Sequence, residues 1–330
     1  MATANLPQQP SRNTAGILFL IAGIAVFAVQ DLILKLLSGT YPLHQAMVLR
    51  SLTAVPFLLI LVRLNGGLAT LVTPGLRRMI GRGFMMFVAY TSYYLALAAL
   101  PLATTVALYF AAPLFITLLS VLILKEKVGL PRWLSVVAGF VGVIIMVRPG
   151  SDLFDWAALL AILSGLTYGV SMVSARRMGT TETAAALAFW GNAVFLFCAL
   201  ILSGIFGSGD FAGTGHKSIA FMTRGWVLPT GFDTLLMMAC GVIAAAGLTL
   251  LTQAYRISQS NVVAPFEYTA LIWGVIYGWI FWFDWPDSTG WIGIAIIVGS
   301  GLLVIWQERA EARRHQKRPH LLQMRPPKTF

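Results

Sequence analysis

The feature that most constrains this chain is a succession of long apolar runs. Ten of them are visible, at residues 15–37, 43–62, 81–100, 102–124, 131–147, 153–174, 183–205, 234–255, 260–283 and 288–306. A helix of about 20 apolar residues crosses the hydrocarbon core of a bilayer. Because every backbone N–H and C=O must be paired there, and because the runs are continuous rather than alternating, helices are expected and barrel strands are not. The sequence therefore predicts an all-α membrane protein with ten transmembrane helices.

Composition agrees with a chain surrounded by lipid. Of its 330 residues, 58% are hydrophobic and 11% are charged, and the mean hydropathy is +0.80, whereas soluble domains are about 25% charged. The net charge of +11 at first indicates a nucleic-acid partner, but seven of the 23 Lys and Arg residues follow Glu308. A basic segment beside a last span contacts anionic lipid headgroups or sets orientation. We therefore expect the lipid bilayer, and no nucleic acid, as a partner.

The distribution of Lys and Arg orients the chain. If the N-terminus is cytoplasmic, 18 of these residues fall on inside segments and only Lys35, Arg148, Lys217 and Arg224 on outside segments. The excess follows the positive-inside rule, so both termini are predicted to be cytoplasmic. The first apolar run is too long for a signal-peptide core, so residues 1–14 are interpreted as a cytoplasmic segment before a retained span. Residues 307–330 form a basic cytoplasmic tail.

The two halves of the chain resemble each other weakly. A shift of 141 residues places Leu49-Arg50-Ser51 on Trp190-Gly191-Asn192, and a shift of 157 places Gly142 on Gly299. This divides the chain into five-helix repeats at 15–147 and 153–306. Since five is odd, the second repeat begins on the opposite side of the membrane, which is typical of alternating-access carriers. The alternative is an ancient duplication without a mechanical role.

At this point the chain resembles a known family. It is similar to the EamA-type branch of the drug/metabolite transporter superfamily in the Leu49-Arg50-Ser51 segment, in Pro113 within the fourth span, and in the turn Lys125-Glu126-Lys127 after it. Asp284 with Pro286, after the ninth span, also fits. Within the family it looks most like the YddG-type exporters of aromatic amino acids. The resemblance implies ten spans, a central cavity and export from the cytoplasm of a bacterium across its inner membrane.

Polar and aromatic side chains form stripes on three spans. Polar residues inside spans are costly and usually face a wet cavity or the bundle interior. At helical spacing, the stripes are Phe27, Gln30 and Asp31; Phe87, Tyr90, Thr91 and Tyr94; and Ser164, Thr167, Tyr168 and Ser171. They predict a shared cavity, although hydrogen bonding between helices is an equal alternative for Ser and Thr. The predicted substrate contacts are Phe27, Gln30, Tyr90, Tyr94, Tyr168, Trp190, Asn192 and Tyr268.

Three charged residues inside spans are candidates for coupling or gating. Asp31 and Arg50 lie at similar depth on either side of the first turn, which predicts an ion pair between them. The alternative partner of Asp31 is Lys35, one helical turn away. Glu267 follows Pro265, which removes a backbone donor. Glu267 is then able to hold a substrate ammonium, relay a proton or cap the kinked helix.

Small residues and a proline predict how some spans pack. The pairs Gly165–Gly169 and Gly274–Gly278 have the small-xxx-small spacing that permits close helix contact, and we expect them to pack rather than bind. Spans three and four are joined almost directly at Pro101, which predicts a pair that moves together or hinges there.

The sequence contains no catalytic, metal-binding or cofactor-binding motif. We therefore predict no enzyme and no cofactor, but a secondary transporter that exports small amphipathic metabolites, with amino acids, and aromatic ones above all, as the favoured substrates. Within carriers the alternative is a lipophilic-cation or multidrug exporter; outside them it is a membrane protein acting on lipids. Because one chain holds both repeats, a monomer is sufficient for function.

Overall fold

A computed structural model of the protein describes residues 9–125, 129–151, 154–178, 183–213, 215–257 and 264–323, and within these ranges the regular structure is helical. Each predicted apolar run contains one or two helices. Two 3₁₀ turns, Leu68–Leu71 and Ala264–Tyr268, accompany them. The α-helices are α1 (Gln9–Leu37), α2 (Leu43–Leu64), α3 (Leu76–Ala99), α4 (Leu102–Tyr109), α5 (Ala112–Leu124), α6 (Leu130–Val147), α7 (Ala157–Met178), α8 (Ala184–Phe206), α9 (Lys217–Thr223), α10 (Gly231–Ile257), α11 (Thr269–Trp282) and α12 (Ser288–Gln323).

Five stretches are long and apolar enough to cross a membrane by length and composition. They are Thr14–Leu37, Leu43–Leu64, Leu102–Ile123, Ala157–Ser174 and Ala185–Phe206. Shorter apolar helices follow at Trp133–Val147, Gly231–Gly247 and Ser288–Leu303. The all-helical fold is confirmed, while the number of spans stays a prediction. Of the turn predicted at 125–127, Glu126 and Lys127 lie outside the described residues.

The fourth run is interrupted, although the sequence predicted a continuous span at 102–124. The ninth run, for which Pro265 indicated a kink, contains a 3₁₀ turn at that proline, while its residues 260–263 lie outside the described ranges. Helix α4 ends at Tyr109 and α5 begins at Ala112, one residue before Pro113. Proline has no N–H to pair with the Tyr109 carbonyl four residues earlier, so the helical ladder breaks there. In the second half, the 3₁₀ turn Ala264–Tyr268 leads directly into α11. A shift of 157 residues places one interruption on the other.

Two contacts lie where the repeat offsets require them. The Nδ2 atom of Asn192 on α8 donates to the carbonyl of Ser51 on α2 at 3.1 Å, and these residues are 141 positions apart. Residues related by a two-fold axis touch only where the axis passes between them. Similarly, Gly142 on α6 packs against Ile296 and Ile297 on α12, within one turn of Gly299. Both contacts fit a two-fold relation between the halves.

The helix pairs repeat in the same way. Helix α1 of the first half packs along α10 of the second half. In the same way, α7 of the second half packs along α3 of the first half. The contact of α2 with α10 likewise matches that of α3 with α8. The two halves therefore interdigitate, and their core is continuous across the boundary.

One end of the bundle is covered by the segment that contains α9. Phe221 of this helix is buried. The Arg224 side chain donates to the carbonyls of Ser38 at 3.1 Å and Tyr41 at 3.3 Å, and His44 Nε2 contacts the Arg224 carbonyl at 3.1 Å. These bonds tie the segment to the turn between α1 and α2 and to the start of α2.

The turn after α6 is tied to the turn before α12. Arg148 forms an ion pair with Asp287, and this hydrogen bond holds the pKa of the Asp287 carboxyl below its ordinary value. Because both turns lie at the ends of a symmetry-matched helix pair, the contact joins the two halves outside the apolar runs.

Candidate functional site

A cavity of about 200 Å³ lies between the halves. Helices α1, α3 and α4 line it from the first half; α7, α10, α11 and the turn Ala264–Tyr268 line it from the second. Its aromatic lining consists of Phe27, Tyr90, Tyr93, Tyr94, Tyr109, Phe110, Tyr168 and Tyr277. Both interrupted runs reach it, through Tyr109 and Phe110 at one break and Glu267 at the other. Interrupted helices at matching positions of two repeats mark the binding site in many transporters.

The tyrosines form a connected belt around part of this cavity. Tyr93 lies edge-on to Tyr94 at a centroid distance of 5.6 Å and to Tyr109 at 5.5 Å. Tyr109 in turn contacts Tyr168 at 5.5 Å, and Tyr90 stacks on Tyr94 at 6.2 Å. Edge-to-face and offset contacts of this kind hold rings in fixed positions. The belt presents several aromatic surfaces to a flat molecule.

Arg50 lies behind the cavity and holds residues that line it. Its side chain is buried, and its guanidinium carbon lies 5.6 Å from the ring centroid of Tyr90 and 5.2 Å from that of Phe195. Its Nε donates to Gln30 Oε1 at 3.2 Å, and Gln30 Nε2 donates to the Tyr94 hydroxyl at 2.6 Å. The two aromatic rings and the amide oxygen of Gln30 together stabilise the positive charge of the guanidinium, which is buried away from water. Arg50 therefore acts on the cavity through Gln30 and Tyr90.

The ion pairs predicted for Asp31 are wrong. Asp31 Oδ2 accepts from the Tyr93 hydroxyl at 2.9 Å, and the carboxylate forms no ion pair with Arg50 or with Lys35. The prediction relied on the similar depth of Asp31 and Arg50 in the membrane. Partner choice, however, depends on which face each side chain leaves from, and Gln30 occupies the face toward Arg50.

Lys35 instead donates to two backbone carbonyls at the end of α3. Its Nζ lies 2.9 Å from the Leu97 oxygen and 2.5 Å from the Leu100 oxygen, and 5.1 Å from the ring centroid of Trp282. The ordinary donor to the Leu97 carbonyl is the N–H four residues later, which Pro101 lacks. The lysine supplies the missing donor.

Glu267 and Asp31 place two carboxyl groups in the cavity lining, one from each half. Glu267 lies at the end of the 3₁₀ turn that precedes α11 and is partly buried. Ser164 also lines the cavity, and its buried hydroxyl has no hydrogen-bond partner in the described ranges. The lining thus combines aromatic walls with a few acceptors and hydroxyls. Among the residues that the structure covers, no cluster of His, Cys, Asp and Glu is arranged to hold a metal ion.

Three predicted substrate contacts lie outside the cavity. Trp190 Nε1 donates to the Leu71 carbonyl at 3.0 Å, and Asn192 is bonded to Ser51. The Tyr268 ring lies 4.8 Å from that of Phe110, with its hydroxyl against Gly301. Repeat alignment and depth locate a residue along a helix but not around it, so they did not show which way these three side chains face; their role as substrate contacts stays a prediction. These side chains pack between helices.

The other predicted contacts, Phe27, Gln30, Tyr90, Tyr94 and Tyr168, do line the cavity. Sequence reasoning missed Tyr93, Tyr109 and Tyr277. Tyr93 was detectable, since it lies three residues after Tyr90 on the same face of α3. Tyr109 borders the interruption and Tyr277 lies on α11, a span whose polar pattern is weak. Of the Ser and Thr stripe on α7, only Ser164 reaches the cavity. The Thr167 hydroxyl donates to the Leu163 and Ser164 carbonyls of its own helix, so it bonds within α7 rather than between helices.

A family comparison accounts for nearly the whole chain. The model of the EamA-like transporter family matches residues 14–148 and matches again at residues 155–306. The chain therefore carries two copies of one unit.

Curated relatives with similar sequences are transporters. A riboflavin transporter of Rhizobium johnstonii is 30% identical over 324 residues, which span 96% of this chain and 98% of that protein. An S-adenosylmethionine uptake transporter of Rickettsia conorii is 24% identical over 71% of this chain and 74% of its own length. A riboflavin transporter of Vibrio cholerae is 26% identical over 71% and 73%.

A solved crystal structure supports the fold alone. It superposes with a TM-score of 0.59 at 19% sequence identity, covering 92% of this chain and 99% of the other.

Proposed function

The chain belongs to the EamA-like transporter family, and we propose that it is a secondary transporter that takes up a planar heteroaromatic metabolite of the riboflavin type. The family and the relatives are multi-pass membrane transporters of bacteria rather than enzymes, so the protein moves a small molecule and does not transform it.

The observation that carries this proposal is the aromatic belt at the junction of the halves. A fused ring system gains contact area against Tyr90, Tyr109 and Tyr168 by stacking and edge contacts. Asp31, Glu267 and Ser164 suit the hydroxyl groups of a sugar-like chain. Riboflavin and S-adenosylmethionine, the compounds in the relatives' names, both join a fused heteroaromatic ring to a hydroxylated sugar-derived group.

Export of aromatic amino acids, the sequence-based prediction, rests on the aromatic stripes and on the resemblance to YddG-type exporters, and a larger fused ring uses the same aromatic lining equally well. None of the relatives reported above is named for an aromatic amino acid, and one is named for uptake. Amino acids, and lipophilic cations as in the multidrug alternative, therefore become the competing substrates of the test.

The proposed mechanism is alternating access between two inverted five-helix repeats, 15–147 and 153–306, with ten spans in an inner membrane and both termini cytoplasmic. The Asn192–Ser51 contact, the matched interruptions and the doubled family match support it. In this scheme Asp31 and Glu267 act in coupling or gating, because a carboxyl from each half borders the same space. Arg50 contributes by fixing Gln30. A single chain suffices as the working unit.

The test is flux into proteoliposomes that contain the full chain, with riboflavin followed by its own fluorescence. We expect riboflavin uptake that unlabelled tryptophan and a lipophilic cation inhibit weakly. Tyr109→Leu should reduce uptake at least tenfold, because it removes the ring at the centre of the belt. Trp190→Phe, which alters an aromatic residue outside the cavity, should leave uptake within about twofold of the unmodified protein. Tryptophan flux without riboflavin flux would contradict the proposal and restore the amino-acid prediction.

A further inference from the structure

The hydrogen bonds behind the cavity have a fixed direction. Arginine carries only donors and remains charged at any physiological pH. Its contact with Gln30 therefore has to be made by the amide oxygen, since the NH₂ group would place donor against donor. This fixes which end of the amide faces Arg50, a choice that electron density or geometry alone rarely decides.

The amide nitrogen of Gln30 is then directed at Tyr94. At 2.6 Å from the tyrosine oxygen, Gln30 Nε2 is the donor and the hydroxyl oxygen is the acceptor. The tyrosine proton is consequently not used in this bond. Within the part of the chain that the structure describes, the Tyr94 hydroxyl makes no other hydrogen bond, and the residue is 2% exposed.

Tyr93, the adjacent residue, has the opposite arrangement. Its hydroxyl donates to Asp31 Oδ2 at 2.9 Å, so its proton is already engaged. Both tyrosines line the cavity. Two neighbouring phenols thus differ in what they offer a ligand: Tyr94 has a proton to donate, and Tyr93 has only an oxygen that accepts.

We propose that the Arg50–Gln30 contact makes Tyr94 an obligate hydrogen-bond donor to a carbonyl oxygen on the edge of the substrate ring. Arg50 and Gln30 are positioning residues, and Tyr94 is the specificity-determining contact. This rests on the proposed function, since it assigns the ring carbonyl of a flavin-type substrate to one protein group. A buried donor left without an acceptor is costly, so a ring that lacks this carbonyl is rejected.

The test pairs protein variants with substrate analogues in the same proteoliposome assay. The analogues are 2-thioriboflavin and 4-thioriboflavin, each of which replaces one ring carbonyl by a weaker acceptor of similar shape. We expect the unmodified protein to show a KM for one of them about ten- to hundredfold above that for riboflavin. Tyr94→Phe should raise the KM for riboflavin by a similar factor and should no longer distinguish that analogue from riboflavin.

Gln30→Glu provides an independent variant that keeps every ring in place. A carboxylate at this position accepts from Arg50 and from Tyr94 together, which draws the tyrosine proton away from the cavity. It should therefore reproduce the loss of discrimination seen with Tyr94→Phe. Tyr41→Phe, which removes a tyrosine hydroxyl outside the cavity, is the matched control and should discriminate as the unmodified protein does.

The outcomes separate the two proposals. If riboflavin is transported but Tyr94→Phe and Gln30→Glu both still reject the thio analogue, the role of Tyr94 is wrong and the proposed function stands. If the unmodified protein has the same KM for both thio analogues as for riboflavin, the proposed hydrogen bond from Tyr94 to a ring carbonyl is wrong. If the unmodified protein carries no flavin, both proposals fall.

Discussion

At the scale of single residues, the buried cations Lys35 and Arg50 donate their hydrogen bonds to neutral polar groups rather than to carboxylates. Lys35 binds the Leu97 and Leu100 carbonyls, and Arg50 binds the Gln30 amide. In hydrocarbon an unpaired carbonyl costs several kcal/mol, so Lys35 stabilises the end of α3 by donating to the carbonyls there. The missing N–H of Pro101 creates the site that this lysine fills.

Replacing Lys35 with Met tests this reading. The substitution keeps the length of the side chain but leaves two buried carbonyls without a donor, at about 1–3 kcal/mol each. We expect a lower midpoint of thermal unfolding in detergent, measured by intrinsic tryptophan fluorescence. Lys217→Met removes an exposed lysine on α9 and should leave the midpoint unchanged. A midpoint for Lys35→Met equal to that of the control would show that other groups satisfy these carbonyls.

Of the eight substrate contacts predicted from the sequence, five line the cavity. Periodicity on α1 and α3 identified Phe27, Gln30, Tyr90 and Tyr94, because helical spacing records which side chains share a face. It did not predict the partner of Asp31. Pairing across helices depends on the rotation of each helix about its axis, which packing decides and spacing does not encode.

At the scale of helices, close contact depends on glycine at the interruption between α4 and α5. The predicted small-xxx-small pair on α7 is confirmed as a packing contact. A Cβ added at Gly165 would lie 3.2 Å from the Tyr109 carbonyl oxygen and 3.3 Å from the Ala112 nitrogen. The neighbouring atoms are backbone, so they have little freedom to move. Gly165 therefore lets α7 approach the break that borders the cavity.

Gly165→Ala should accordingly lower both stability and transport. Overpacking typically costs about 1–3 kcal/mol, and here it displaces Tyr109. Gly169→Ala is the matched control: its Cβ would lie 3.4 Å from side-chain atoms of Leu119 and Phe115, an ordinary contact. Because alanine also favours the helix by about 0.5–1 kcal/mol, the control should be neutral or stabilising. Thermal unfolding and riboflavin flux measure both effects, and equal behaviour of the two variants would contradict the close approach.

Pro265 indicated the irregular start of the ninth run, but the break between α4 and α5 was not predicted. Pro113 was visible in the sequence, but a proline alone does not show whether a span continues through it or a new helix begins there. The structure shows that α5 begins one residue before Pro113, where proline is well tolerated, and that α4 has already ended at Tyr109. The boundaries of α2, α6 and α8 follow the apolar runs closely, since the length of a run is set by the hydrocarbon it crosses, whereas α12 continues past its run to Gln323.

At the scale of the whole molecule, the repeat is the property that most organises the structure. Its offset of 141 was available from the sequence, and the hydrogen bond between Ser51 and Asn192 shows what that offset does in three dimensions. Residues aligned by sequence meet at the centre of the molecule. The cavity therefore has walls from both halves, and each half on its own has an incomplete site.

Inversion makes a prediction that labelling of intact cells measures. Asn65 follows the second helix of the first half, and Gly213 lies beyond the second helix of the second half; both are exposed. Repeats of opposite orientation place these related positions on opposite sides of the membrane, and the charge distribution assigns Asn65 to the cytoplasm. In a background without Cys198 and Cys240, Gly213→Cys should react with an impermeant maleimide on intact cells. Asn65→Cys should react only after lysis.

A third position tests the parity of the spans between these two. Ser151 is exposed in the turn between α6 and α7, three predicted spans after Asn65 and two before Gly213. Ser151→Cys should therefore react with the impermeant reagent on intact cells, as Gly213→Cys does. Reaction of Asn65→Cys and Gly213→Cys from the same side would exclude inverted repeats. Reaction of Ser151→Cys from the side opposite to Gly213→Cys would mean that α7 and α8 do not both cross. The three reactivities together decide orientation and parity, because a single span added or lost reverses every position after it.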